Sequence, residues 1–198
     1  MILYLGIDPT RWKSCKPLLH YPVIKTELTG EPDWTDWPLF THLIFTSRSA
    51  VLHWNRFEGK KIIAIGEATA ELLRERGCSS LVAPEATQEG VIELLKCLDL
   101  SGAYIAWPRS ERARKLLVDF LDSLAPSVRF AAIDLYRTVF QWQDPVPSLK
   151  EIEEIVFTSP STVEAFLQIY GQIPKNIKIT AIGPVTQNVL SRYGKDAF

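Results

Sequence analysis

The stretch Ile44 to Val51 reads IFTSRSAV, and Val156 to Val163 reads VFTSPSTV. Each is an apolar run that ends in Phe-Thr-Ser and passes into a helix-start signal, as a buried strand does where it hands over to a helix. The echo continues downstream. Ala64 to Thr69 reads AIGEAT, and Ala181 to Thr186 reads AIGPVT. Thr46 and Thr158 lie 112 positions apart, and Gly66 and Gly183 lie 117 apart, so spacing repeats along with wording. A unit of about 100 residues is therefore written twice, each copy small but large enough to hold its own core.

Outward from these turns, strands and helices alternate. Ile2 to Ile7 is a short apolar strand closed by Asp8-Pro9-Thr10; a brief helix is expected after it, ended by Pro17. Tyr21 to Leu28 alternates apolar and polar residues, as an exposed or linking strand does. Trp34 and Trp37 fall in a polar turn region and are expected to pack the surface. Ser49 fits the N-cap of a helix to about Phe57, and Gly66 opens a helix that Gly77 closes. Leu81 to Ala83 is a short strand, and Thr87 caps a helix from Gln88 to about Leu98. Ala103 to Trp107 is the next strand, after which Ser110 caps a helix to about Leu124. Phe130 to Val139 is strand again. Ser161 with Glu164 three residues on forms an S-x-x-E capping box, and Pro184 takes the favoured first position of a helix.

This alternation predicts an α/β fold: two similar domains, each a parallel sheet covered by helices on both faces. Ile2–Ile7 corresponds to Ala103–Trp107, and Tyr21–Leu28 to Ile133–Val139. Leu81 to Leu98 alone has no counterpart, which is expected to leave one domain smaller or the natural chain longer than this one.

Composition removes several classes of function. The chain has 198 residues, 46% hydrophobic and 23% charged, with formal net charge -1. That balance supplies no general attraction to nucleic acid or to an anionic membrane. No apolar run is long enough to span a bilayer, and Met1 to Ile7 has neither the basic start nor the length of a secretory leader, so a cytoplasmic protein is expected. Cys15, Cys78 and Cys97 are odd in number and widely spaced, which argues against a disulfide framework or a zinc site. His20, His42 and His53 have no metal-ligand spacing, so no metal is expected.

The chemistry is expected at the carboxyl ends of the strands, where open parallel sheets bind ligands. Four such ends carry small or hydroxyl-bearing turns: Thr46-Ser47, Gly66 to Thr69, Thr158 to Ser161, and Gly183 to Thr186. Each leads into a helix N-terminus, whose unpaired N–H groups and partial positive charge favour anions. Ser and Thr are the default helix caps, so one such turn says little; capping alone does not require the same words twice. Arg48, Arg109 and Arg137 are candidate carboxylate partners through their planar forks. Neither a P-loop nor a G-x-G-x-x-G occurs, which weighs against a nucleotide or sugar-phosphate enzyme. There is also no G-x-S-x-G elbow and no H-E-x-x-H.

Taken together, Tyr21–Leu28, IFTSRSAV, Ile63–Gly77, Ala86–Leu95, Trp107–Leu117, Ile133–Val139, VFTSPSTV and Ile179–Leu190 resemble the uroporphyrinogen-III synthase family, in order and spacing, over nearly the whole chain. The resemblance implies two α/β domains joined by a two-stranded linker, with the active site in the cleft between them. Domain one would hold residues 1–24 and 141–198, domain two 29–133, with linker strands at 25–28 and 134–140. The implied reaction is cyclisation of hydroxymethylbilane to uroporphyrinogen III, with inversion of ring D and loss of water, by a lyase without cofactor or metal. Tyr136 matches the family's cleft tyrosine and is the candidate to assist loss of hydroxide. Thr46, Ser47, Thr69, Thr158, Ser159, Ser161, Gly183 and Thr186 fall on its binding motifs, and Gly66, Arg48 and Arg109 join them as candidate substrate contacts.

The resemblance further implies a monomer that can receive its substrate from hydroxymethylbilane synthase, with no nucleic acid or membrane partner. Where bacterial members often carry Arg-Pro after the first strand, this chain has Asp8-Pro9, with Arg11 nearby. The competing reading from another class is a non-catalytic two-domain module of the same fold that binds polyanions or regulates.

Overall fold

The structure is a computed structural model that describes residues 1–10 and 12–193; Arg11 lies outside the described residues. The chain divides into two compact units, Met1–Thr26 with Thr138–Phe198, and Glu27–Arg137. In the first unit lie the strands β1 (Ile2–Tyr4), β2 (Leu18–His20), β9 (Glu154–Phe157) and β10 (Lys178–Ala181), with helices α5 (Pro160–Tyr170) and α6 (Pro184–Ser191). In the second lie β4 (His42–Phe45), β5 (Lys61–Ala64), β6 (Leu81–Val82) and β7 (Tyr104–Ser110), with α1 (Arg48–His53), α2 (Glu67–Glu75), α3 (Gln88–Lys96) and α4 (Leu116–Ser123). The chain passes between the units on β3 (Ile24–Leu28) and β8 (Arg129–Phe140), which are neighbours in one sheet. Gln141 N donates to Val23 O while Thr29 N donates to Leu135 O, so these two strands run antiparallel.

Both sheets follow one plan. The first has order β10-β9-β1-β2, and the second has β3-β8-β7-β4-β5-β6. Aligned on the repeated turns, β9 corresponds to β4, β10 to β5, β1 to β7 and β2 to the start of β8. The equivalence reaches individual hydrogen bonds. Ile65 N donates to Phe45 O at 2.9 Å, and Ile182 N donates to Phe157 O at 3.0 Å. Phe45 and Phe157 are both fully buried. The pairings within β10-β9-β1-β2 and within β8-β7-β4-β5-β6 are parallel, as strand–helix alternation requires.

Side-chain alternation along β4 shows how the second sheet is buried. Leu43 and Phe45 pack with Val51, Leu72 and Leu73 of α1 and α2, while Ile44 packs with Val91, Leu95, Leu117 and Leu121 of α3 and α4. Successive strand residues point to opposite faces, and here each face meets a helical layer. The first unit departs from the expectation of helices on both faces. Leu3, Leu5, Ile155 and Phe157 pack with Val163, Phe166 and Leu190 of α5 and α6, but Ile2, Tyr4 and Val156 meet Trp12 and Leu18. No helix forms between β1 and β2 among the described residues, where α4 stands between β7 and β8. Pro9 and Pro17 bracket that segment and leave it no room for a regular helix.

Three helix starts differ from the sequence expectation, each for a local reason. α1 is capped by Ser47, whose Oγ accepts from Ala50 N at 3.0 Å, so Ser49 lies inside the helix. α5 is capped by Ser159 with Pro160 at the first position, and its capping box pairs Ser159 with Thr162, not Ser161 with Glu164. Both hydroxyls sit directly after the strand, where the extended backbone of a cap already exists. Ser110 belongs to β7, which runs past Pro108 because β4 pairs with this strand only at Ile105 and Ala106. A proline beyond that point removes no ladder bond on the β4 side. Trp34 and Trp37 pack on Trp54, with ring centroids 4.8 and 6.3 Å away.

Candidate active site

In the second unit the carboxyl ends of β4, β7 and β8 converge on one polar cluster. Thr46 leaves β4 with its Oγ1 accepting from Trp107 Nε1 at 3.0 Å. Ser47 Oγ, already bound by Ala50 N, makes a 2.8 Å hydrogen bond with Tyr136 OH. Tyr136 lies on β8 and is 6% exposed. Burial pushes its phenol above the usual range, partly offset by hydrogen bonds with Ser47 and Ser49, so it is a neutral proton donor at ordinary pH. The His53 ring stacks beside it, centroids 5.8 Å apart, and burial holds that imidazole below its usual value and so neutral.

Arg109 follows on β7. Its guanidinium lies 5.0 Å from the Trp107 ring centroid, and its Nε donates to Asp134 Oδ1 at 2.7 Å. A register shift between Arg109 and Ser110 marks a bulge, the device that re-aims a side chain at a strand end. Arg109 Nη1 is buried with no hydrogen-bond partner among the described residues. A charged donor left unpaired is costly, so this fork has unused capacity for an anion.

The equivalent corner of the first unit holds Thr158, Ser159 and Ser161. Thr158 N and Ser159 N both donate to Thr162 Oγ1 at 3.2 Å, and Thr162 Oγ1 donates to Ser159 O at 2.7 Å. Thr158, Ser159 and Ser161 remain partly exposed in the first turn. Beside them Gly6 lies in the bend after β1, and a Cβ there would stand 2.4 Å from Thr158 Cγ2 and 2.8 Å from its Oγ1. Sequence reasoning does not single out Gly6; a glycine just after a strand and next to a threonine turn is the signal that points to it. Gly6→Ala is expected to displace Thr158 at a cost of about 1–3 kcal/mol, the range for overpacking. A thermal or urea denaturation curve checks it, and unchanged stability would show that Thr158 yields freely.

The second pair of turns differs from the first in a repeated way. α2 and α6 are capped by Gly66 and Gly183, with no side-chain cap hydrogen bond in either helix where Ser47 and Ser159 supply one; α6 begins with Pro184, which has no N–H of its own. Gly66 also lacks space for a side chain, since a Cβ would lie 2.9 Å from Ala86 Cβ. Thr69 and Thr186 are buried. They are 3% and 2% exposed, which removes their side chains from any accessible rim and places them in the packing under each helix. Arg48 is the first residue of α1 and is partly buried, and Arg137 lies 3.5 Å from Glu27. Trp107, Asp134 and His53 complete the Tyr136 corner; their roles depend on contacts 25 to 61 positions away or on ring stacking, which no local motif records.

Among the described residues, no group of three or more His, Cys, Asp or Glu is placed to hold a metal ion, and no helix is long and apolar enough to cross a membrane.

Comparison with known proteins agrees with this fold. A family model described as uroporphyrinogen-III synthase HemD matches residues 18–197. A curated protein of Methanothermobacter thermautotrophicus strain Delta H, provisionally named a uroporphyrinogen-III synthase, is 31% identical over 184 residues, covering 80% of this chain and 70% of its own length. The crystal structure of uroporphyrinogen-III synthetase from Helicobacter pylori 26695 is similar with TM-score 0.66 and 20% identity, over 100% of this chain and 90% of that one. A mutant uroporphyrinogen III synthase from the extremely thermophilic bacterium Thermus thermophilus is similar with TM-score 0.60 and 18% identity, over 99% and 90%. At such identities these two structures speak to the fold alone.

Proposed function

Since the chain belongs to the uroporphyrinogen-III synthase family, we propose that it cyclises hydroxymethylbilane to uroporphyrinogen III, inverting ring D and releasing water, as a lyase. The observation that carries the reading is the pair of buried Tyr136 and half-buried Ser47 at the carboxyl end of the second sheet, 2.8 Å apart. The substrate's hydroxymethyl C–O bond breaks, and its oxygen leaves as water with the phenolic proton of Tyr136. The methylene so freed bonds to the substituted α-carbon of ring D, giving a spiro intermediate; the bond from that carbon to the ring C methylene then breaks, and this methylene bonds to the other α-carbon of ring D, which turns the ring over. The proton shed by the closing ring restores the phenol, so no acid is consumed.

A phenol suits this step because its neutral form is the donor, and burial favours that form. Ser47 aligns it: the same Oγ that caps α1 holds the phenol, so the donor's place is tied to a helix end. The substrate carries carboxylates on every pyrrole ring. Arg109 and the glycine-capped starts of α2 and α6 supply positive ends for them, and Thr46, Thr158, Ser159 and Ser161 supply hydroxyls. Holding the linear tetrapyrrole bent lets the inverted closure outrun the direct one, and each unit offers groups of the kind that would hold it.

Purified protein supplied with freshly generated hydroxymethylbilane is expected to yield the type III isomer, resolved by chromatography. Product that is only the type I isomer of the spontaneous reaction would leave a binding module without turnover.

A further inference from the structure

The amino ends of the strands in the second unit carry a separate polar cavity of about 540 Å³, lined by His42, Lys60, Lys61, Asp99 and Ser101 among others. His42 begins β4, Lys61 begins β5, and Tyr104, next to the lining residue Ala103, begins β7. Tyr136, Arg109 and Thr46 stand at the other ends of this sheet, so the reaction proposed above does not use this cavity.

His42 is the built part of the site. It is 6% exposed, a burial level unusual for a polar ring unless it is held. Its Nδ1 lies 2.7 Å from Thr41 Oγ1. That hydroxyl accepts from Tyr104 N at 3.0 Å and donates to Tyr104 O at 3.2 Å, which uses its only proton. The tautomer with the ring proton on Nδ1, donating to Thr41, is the one that keeps both Tyr104 hydrogen bonds. Nε2 is left with no protein partner among the described residues, in a ring that lines the cavity. The Lys61 ammonium has no ion pair or hydrogen bond among the described residues. Lys60 Nζ spends one proton on Phe40 O at 2.6 Å and stands 4.7 Å over Trp37, keeping further donors.

Asp99 is the one carboxylate of the lining, and it accepts from Ser101 N at 3.0 Å. With His42 neutral the charged groups sum to one positive charge; with His42 protonated they sum to two. We propose that this cavity binds a doubly charged tetrahedral oxyanion, free phosphate or the phosphoryl group of a small molecule, through His42 Nε2, Lys60 and Lys61. Empty, the ring is held neutral by burial and by Lys61, both of which disfavour a second positive charge there. A dianion reverses that balance, so binding takes up a proton at Nε2 and tightens as pH falls through the His42 midpoint.

The test follows the imidazole signals of the whole protein by NMR between pH 5 and pH 8, with and without sulfate, whose charge stays constant over that range. His42→Gln identifies the His42 signal. Sulfate is expected to raise the His42 midpoint by about one pH unit, the size usual for an opposite charge close by, while His20 and His53 stay in place. In Lys61→Met, an exposed change that leaves the fold intact, the response should fall at least several-fold. Inorganic phosphate and methyl phosphate then separate the two sources, since methyl phosphate binds as well only where a phosphoryl group on a larger molecule fits. An unmoved His42 midpoint would overturn the site. Equal responses to sulfate and acetate, or an equal shift of all three histidines, would do the same.

Discussion

Tyr136→Phe should lower formation of the type III isomer by about 100-fold or more, the usual range for a positioned proton donor, and leave the fold in place. Phenylalanine keeps the ring, its stacking with His53 and the volume buried on β8. Only the hydroxyl is lost, and Ser47 Oγ retains Ala50 N, so no buried donor is stranded. The measurement is the rate of type III formation beside a urea denaturation midpoint; the spontaneous type I product should take over as turnover falls. Wild-type rates in this variant would remove Tyr136 from the reaction. Ser47→Ala should also slow the enzyme, but with a stability loss of about 1 kcal/mol from the missing cap. The pair of variants thereby separates proton donation from alignment. Ionisation works in the expected direction too. Burial raises the Tyr136 midpoint, so the donor form is complete through neutral pH and fails only in strongly alkaline solution.

Trp54→Ala should destabilise the second unit by about 3–5 kcal/mol, the cost of emptying a large buried site. Trp54 is 1% exposed and sits just after α1, where its N–H donates to Ala50 O at 3.0 Å. Trp34, Trp37 and Phe45 surround it, with Trp34 and Phe45 edge-on. The indole Nε1 has no hydrogen-bond partner among the described residues, so the loss is one of packing. Trp54→Phe is therefore expected to keep most of the stability, since it removes an unpaired buried donor as well as ring area. Denaturation in urea, followed by circular dichroism, distinguishes the two. A loss below about 1 kcal/mol for the alanine variant would mean that Trp34 and Trp37 collapse into the space. Activity should fall with stability, because α1 links Trp54 to Ser47.

Gly66 and Gly183 show how far the sequence can be read. A glycine after an apolar run, followed by helix-forming residues, is a local statement, and both are open helix caps in the structure. The same holds for Phe45 and Phe157, whose equivalence is written in the repeated FTS words and appears as matching backbone hydrogen bonds. Local chemistry is also where the details diverge. Ser47 and Ser49 are both good caps by composition, as are Ser159 and Ser161, and the choice belongs to the residue that is still extended when the strand ends. Ser110 reads as a cap because nothing local says that β8 will keep pairing with β7 to that point. The segment between β1 and β2 has prolines at both ends, and Trp12 does the covering that a helix does elsewhere.

Duplication, parallel strand–helix order and the hydroxyl-bearing turns were determined by the sequence alone, because each is a pattern within a few residues or its exact echo in the second copy. The tertiary structure decided which of those hydroxyls stay exposed. Thr69 and Thr186 repeat as faithfully as Thr46 and Thr158, yet the helices bury them. Tyr136 meets Ser47, Arg109 meets Asp134, and Gly6 makes room for Thr158, only when the sheet sets distant strand ends side by side. Periodicity tells which face of an element is buried; the atoms across that face come from register and crossover, and those are properties of the folded chain.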